Sequence, residues 1–179
     1  YGGALSNHTL NNHISALKRF NEYLKKHNAR PLSIHLRSEK TDKLDATDIV
    51  SQQEIKELFE AAEHSYVMPH VCLRDRAMLV VLYSCGLRRN EAVHLNLNDV
   101  LFGQNRILAR PTKNGRERHV PLNNHNMEIL EEYIYDGRPI FYRVDRTDAL
   151  FVGQQGSRLG GDSFNLRLRA IIRATGNPE

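Results

Sequence analysis

The longest strictly apolar run in this 179-residue chain, Ala77 to Tyr83, constrains the fold more than any other feature. Its seven residues are far short of the ~20 that a membrane span needs, so the run belongs inside a protein core. With Val71 and Cys72 before it and Gly86 after it, the spacing predicts a buried helix over about 71–85. Gly86 suits the left-handed turn that follows a helix. Upstream, Ser51-Gln52-Gln53-Glu54 forms a capping box, in which hydroxyl and carboxylate satisfy free amides at a helix start. Ile55, Leu58, Phe59 and Ala62 continue it as an apolar face.

After Gly86 a short helix is predicted over Arg88 to Leu95, and the period then changes across residues 100–122. Ile107 and Leu108 lead into Thr112-Lys113-Asn114-Gly115, and Arg118 to Leu122 leads away; Asn-Gly between two strand-like runs predicts a hairpin turn. Helix returns from about Asn124 to Asp136, stopped by Gly137, then a short strand at Ala149 to Val152 and a last helix from Asp162 to Ala174. The fold class expected is mainly α with a small β-hairpin or sheet, that is, α+β.

Charge is segregated along the chain. Residues 1–37 hold six basic residues and one acidic, residues 38–64 three basic and eight acidic. Further basic blocks span Arg106 to Arg118 and Arg158 to Arg173, within a net charge of +4. Such blocks fit either solvated helix faces or contact with a nucleic acid. Leu10, Ile14, Leu17, Phe20 and Leu24 recur at helical spacing from about Thr9 to His27, with Lys18, Arg19, Lys25 and Lys26 between them, which predicts an amphipathic basic helix. The short stretch before it is too small to cover that stripe. Residues 38–50 show no sustained period and read as a linker, so two domains are expected, 1–40 and 41–179.

Several chemistries lose support. Hydrophobic residues make up 40% and charged residues 26%, the composition of a globular protein. Cys72 and Cys85 form no C-x-x-C pair or even-numbered framework, so a reducing cytoplasm is the expected location. The phosphate-loop, dinucleotide, zinc-protease and serine-elbow patterns are absent. The nine histidines are scattered without ligand spacing, so no metal site is expected.

What remains is Gly86-Leu87-Arg88, two residues, then Glu91 before an apolar run, and 25 residues after Arg88, Lys113 in a turn that leads to Arg118-His119-Val120-Pro121-Leu122. The first segment resembles the arginine box of the tyrosine recombinases, the phage integrase family. The second resembles that family's hairpin lysine. Over nearly the whole chain, residues 9–27 look like the end of the family's helical core-binding domain. Residues 49–62 look like the entry helix of its catalytic domain.

The resemblance implies site-specific DNA recombination or integration. A tyrosine hydroxyl attacks DNA to form a 3′-phosphotyrosyl link, and a 5′ hydroxyl later reverses it, with no metal or nucleotide cofactor consumed. It also implies double-stranded DNA and other recombinase protomers, as a tetramer, for partners, and no membrane. Arg88 and Lys113 are then the expected catalytic residues, with Glu91 in support. Lys18, Arg19, Lys25, Lys26, Arg116, Arg118 and His119 are the candidates for DNA contact. The family further carries a His-x-x-Arg box and a nucleophilic tyrosine. Tyr1, Tyr23, Tyr66, Tyr83, Tyr133, Tyr135 and Tyr142 all lack the nucleophile's context. A start at Tyr1 and an end just after a helical pattern lead us to expect a fragment, inactive alone; a nonenzymatic DNA-binding remnant or regulator derived from an integrase and a helical interaction module are the alternatives.

The chemistry has a physical basis apart from the family. Attack on a phosphodiester builds negative charge on nonbridging oxygens, which a planar guanidinium holds through paired hydrogen bonds. Glu91, one helical turn after Arg88, is placed to orient it. A lysine at a turn tip can donate a proton to the departing 5′ oxygen, and with an ordinary pKa of about 10.4 it is already protonated at neutral pH.

Overall fold

The computed structural model describes residues 5–40, 49–111 and 116–176, and divides the chain into two compact units, 1–49 and 50–179. The first unit is one long helix, α1 (Asn7–Lys26), with Ser6 accepting from the Thr9 N–H at its start and Lys25 and Lys26 in its last turn, where cations suit the helix dipole. Asn28 takes a left-handed backbone (φ 54°), and the chain returns along the helix. Three asparagines hold it there. Asn21 accepts from the Leu32 N–H (2.7 Å), Asn11 pairs with both backbone groups of Glu39 (2.9 and 2.8 Å), and Asn7 donates to the Lys40 carbonyl (2.9 Å). Of the apolar stripe on α1 only Ile14 is buried; Leu17 and Phe20 are exposed.

The second unit opens with α2 (Gln52–Ala62), and its capping box is formed as the sequence predicts, Glu54 accepting from Ser51 N–H (2.7 Å) and Ser51 Oγ accepting from Glu54 N–H (3.2 Å). Helix α3 (Pro69–Leu79) is buried on nearly every side, because α2, α5 (Asn124–Glu132) and α6 (Gly161–Ala174) all pack on it. It runs on through a wider turn, Val80–Ser84, and ends at Gly86 in the left-handed region (φ 57°), as expected for a glycine after a helix. The short helix α4 (Arg89–Val93) follows at once.

Strands β1 (Val100–Leu101), β2 (Arg106–Ala109) and β3 (Arg118–Pro121) form one antiparallel sheet in that order. Val100 stands opposite Ile107, Ile107 opposite Val120 and Ala109 opposite Arg118. Since side chains alternate across a strand, Ile107, Ala109, Val120 and Arg118 share the inner face and Leu108 and His119 the outer. The hairpin turn expected at 112–115 lies outside the described residues.

Two expectations need correction. Residues 149–152 are completely buried but form no strand, making only single bridges, Asn96 with Ala149 and Val152 with Arg158. Side chains take the place of a neighbouring strand. Arg138 Nε donates to the Ala149 carbonyl (3.0 Å), Tyr133 Oη to that of Leu150 (2.9 Å) and Arg74 Nη1 to that of Val152 (2.9 Å). A buried carbonyl must be paired with something, and here buried arginine and tyrosine do it. Nor does Gly137 stop its helix: the chain continues from α5 through a wide turn (Tyr133–Gly137) into a 3₁₀ turn (Arg138–Ile140). Gly137 packs closely on α3: a Cβ there would lie 3.1 Å from Leu73 Cβ and Cδ1, so the Leu73 side chain would have to give way by a few tenths of an ångström.

Candidate nucleic-acid interface

Leu87 is buried while its neighbours Gly86 and Arg88 are exposed. The turn is therefore pinned by one apolar side chain and presents the next residue outward. Arg88 occupies the cap position before α4, its backbone extended (φ −65°, ψ 148°), its carbonyl accepting from the Ala92 N–H (2.9 Å). Its side chain is 82% exposed.

Glu91, three residues on, is buried, with only 3% of its side chain exposed. Its carboxylate does three things. It accepts from the Arg88 backbone N–H (2.9 Å), capping α4. It receives both ends of the Arg118 guanidinium, Nη1 at 3.0 Å and Nη2 at 2.9 Å. It touches the Arg88 guanidinium only at 3.5 Å. The sequence leads one to expect Glu91 to orient Arg88 side chain to side chain; its strongest partner is instead Arg118, on β3, which the inner-face register turns toward it. Hydrogen bonds from Arg118 first, then the Arg88 N–H and the two positive charges, hold the Glu91 carboxyl down at about 2 against the opposing effect of burial. The same bonds hold the Arg118 guanidinium above its ordinary value.

A second arginine, at the end of β2, pairs with a buried carboxylate by charge alone, without the bidentate hydrogen bonds of Arg118. Arg110 Nη2 lies 2.8 Å from Oδ1 of Asp99, a carboxylate 1% exposed, while Arg110 Nε is 3.7 Å from Glu117. Asp99 Oδ2 meanwhile accepts from the Asn96 N–H (2.9 Å), closing the turn before β1. Both arms of the hairpin are thus tied to buried carboxylates at their upper ends. Asp99 and Arg110 are absent from the residues singled out by sequence, although Asn96-x-x-Asp99 has the spacing of a cap.

Arg116 and His119 are exposed, His119 on the outer face of β3 opposite to Arg118. Lys113 lies outside the described residues. Lys18, Arg19, Lys25 and Lys26 are exposed along α1, in the first unit. The third basic block is split: Arg158 Nη1 donates to the Val93 and Leu95 carbonyls (2.8 and 2.9 Å) at the end of α4 and Arg167 pairs with Asp75, while Arg169 and Arg173 are exposed. Among the described residues no group of three His, Cys, Asp or Glu is arranged to hold a metal ion, and no helix is long and apolar enough to cross a membrane.

The region presents exposed cations. Arg88 offers an open guanidinium, and the carboxylates nearby are already occupied.

Residues 48–178 match the phage integrase family. Tyrosine recombinase XerD of Oceanobacillus iheyensis is 32% identical over 173 residues, 94% of this chain and 56% of that protein. Tyrosine recombinase XerC of Bacillus subtilis is 28% identical over 179 residues, 97% of this chain and 57% of that protein. The chain thus spans about half the length of these relatives. The crystal structure of XerH site-specific recombinase bound to palindromic difH substrate, a post-cleavage complex, superposes with a TM-score of 0.75 at 25% identity, covering 97% of this chain and 50% of that one.

Proposed function

The chain belongs to the phage integrase family, and from that premise we propose that it is the DNA-binding part of a tyrosine recombinase, carrying the first catalytic residues of site-specific recombination or integration. The observation that carries this is Arg88: an exposed guanidinium on a pinned turn, one helical turn from a buried carboxylate that already has a bidentate partner.

In this proposal residues 1–40 are the last part of the helical core-binding domain and 41–179 the first part of the catalytic domain. Arg88 holds the nonbridging oxygens of the scissile phosphate and stabilises the charge that grows there. Glu91 supports Arg88 through the cap on its backbone N–H. A tyrosine hydroxyl gives up its proton to solvent and forms the new bond to phosphorus as the bond to the 5′ oxygen breaks; Lys113 supplies the proton that the 5′ oxygen takes up and regains one from solvent. The phosphate remains as a 3′-phosphotyrosyl ester, so the 5′ hydroxyl of a partner strand can reverse the step without a metal or nucleotide cofactor. No tyrosine of residues 1–179 has the nucleophile's context, so in this proposal the chain is inactive by itself. Lys18, Arg19, Lys25, Lys26, Arg116 and His119 line the duplex, whereas Arg118, expected from the sequence to join them, is engaged by Glu91; the partners are double-stranded DNA and further protomers, four in the working complex, in the cytoplasm.

The test is to read the frame after Glu179 and to offer nicked duplex DNA to the encoded protein and to this chain. A covalent DNA adduct with the longer protein and none with this chain is expected. An adduct on this chain would place the nucleophile within it. No adduct on either would leave a DNA-binding remnant without chemistry.

A further inference from the structure

Two guanidinium groups share one buried carboxylate unequally. Arg118 donates to both oxygens of Glu91 at 3.0 and 2.9 Å, whereas Arg88 approaches one of them at 3.5 Å with its side chain 82% exposed. Among the described residues no other cation lies within ion-pair distance of Glu91. A carboxylate so buried is costly to leave without a counter-charge, so with Arg118 withdrawn the cation among the described residues that is in place to neutralise it is Arg88.

We infer that Arg118 is a positioning residue for Arg88: by saturating Glu91 it keeps the Arg88 guanidinium from folding back onto that carboxylate and leaves it open to a phosphate. Arg118 stands on β3 and Glu91 on α4, 27 residues apart. The seating of the hairpin and the readiness of Arg88 are therefore one equilibrium. When β3 sits on α4 the carboxylate is filled and Arg88 is open; when β3 lifts, Glu91 claims Arg88. The functional meaning rests on the proposed role of Arg88 as a phosphate ligand, but the competition for Glu91 does not.

Phenylglyoxal, which adds to accessible guanidinium groups, tests this on the 179-residue chain, with modification of Arg88 followed by peptide mass spectrometry. Arg88 of the unaltered chain is expected to react readily. In Arg118→Ala its rate falls about tenfold, the scale of one charge-assisted hydrogen bond. In Arg118→Ala combined with Glu91→Gln the rate returns, because the neutral amide no longer competes while its oxygen can still cap α4. An unchanged rate in Arg118→Ala, or a double variant as protected as the single one, overturns the inference. If Arg118→Ala fails to fold, Arg118→Lys decides instead: a point charge cannot fill both oxygens, so Arg88 slows partway, and an unchanged rate overturns the inference. Repeating the modification with mixed-sequence duplex DNA separates the two proposals. If DNA does not protect Arg88, its phosphate role fails while the competition for Glu91 is still decided by the variants.

Discussion

Arg167 Nη2 lies 2.5 Å from Asp75 Oδ2, joining helix α6 to helix α3 across 92 residues of sequence. The carboxylate is completely buried, its second cation is Arg74 (3.5 Å), and Ser65 Oγ donates to it at 2.7 Å. The Arg167 guanidinium in turn lies 4.9 Å over the Tyr66 ring. Removing the carboxylate leaves Arg74 buried without its anion, so Asp75→Ala is expected to destabilise the chain by about 3–5 kcal/mol. Urea unfolding measures this, and a loss below about 1 kcal/mol would show that the pair contributes little.

Glu91 makes stability depend on pH in a definite window. Its carboxyl is held at about 2, below the ordinary 4.5, so its contribution is complete above about pH 4.5 and is lost as pH falls toward 2. The stability difference between the unaltered chain and Glu91→Gln is therefore expected to be constant from pH 7 to about 5 and to shrink below that. Urea unfolding at a series of pH values checks it. A difference that changes between pH 7 and 5 would mean that Glu91 is not held by Arg118 in solution.

Cys85 reports on the turn that presents Arg88, since it stands just before Gly86. Burial pushes its thiol up to about 12, so almost no thiolate exists at pH 8. Iodoacetamide at that pH is expected to leave Cys85 unmodified in the folded chain and to label it in urea, with peptide mapping to separate it from Cys72. Rapid labelling without denaturant would show that the turn opens.

How much of this is legible in the sequence depends on how local each cause is. The Ser51–Glu54 cap, the Gly86 stop and the one-turn spacing of Arg88 and Glu91 depend on neighbours within a few residues, and the sequence displays them. The partner of Glu91 depends on strand register: only pairing Ala109 with Arg118 turns Arg118 inward, and no local pattern shows that. Residues 149–152 look like a strand because they are apolar throughout, yet arginine and tyrosine side chains from elsewhere take three of their four carbonyls, the Leu159 N–H taking that of Phe151. Arg158 and Arg167 look like part of a basic surface by position alone, while in three dimensions they close a helix end and balance a buried aspartate.

Lys113, as general acid, is testable through its leaving group. In a longer protein that forms the covalent DNA adduct, as proposed above, Lys113→Ala is expected to slow DNA cleavage by about 10²–10⁴-fold. A substrate whose bridging 5′ oxygen is replaced by sulfur needs no proton to depart, and should restore most of the rate. Equal slowing on both substrates would remove Lys113 from proton transfer.

The central claim is that Arg88 holds a DNA phosphate, and the salt dependence of duplex binding tests it most directly. Each phosphate contact adds about 0.9 to the slope of log affinity against log salt concentration. The 179-residue chain is expected to bind duplex DNA with a steep slope, and Arg88→Ala to weaken binding and lower that slope by about 0.9. The same slope and affinity in Arg88→Ala would contradict the account.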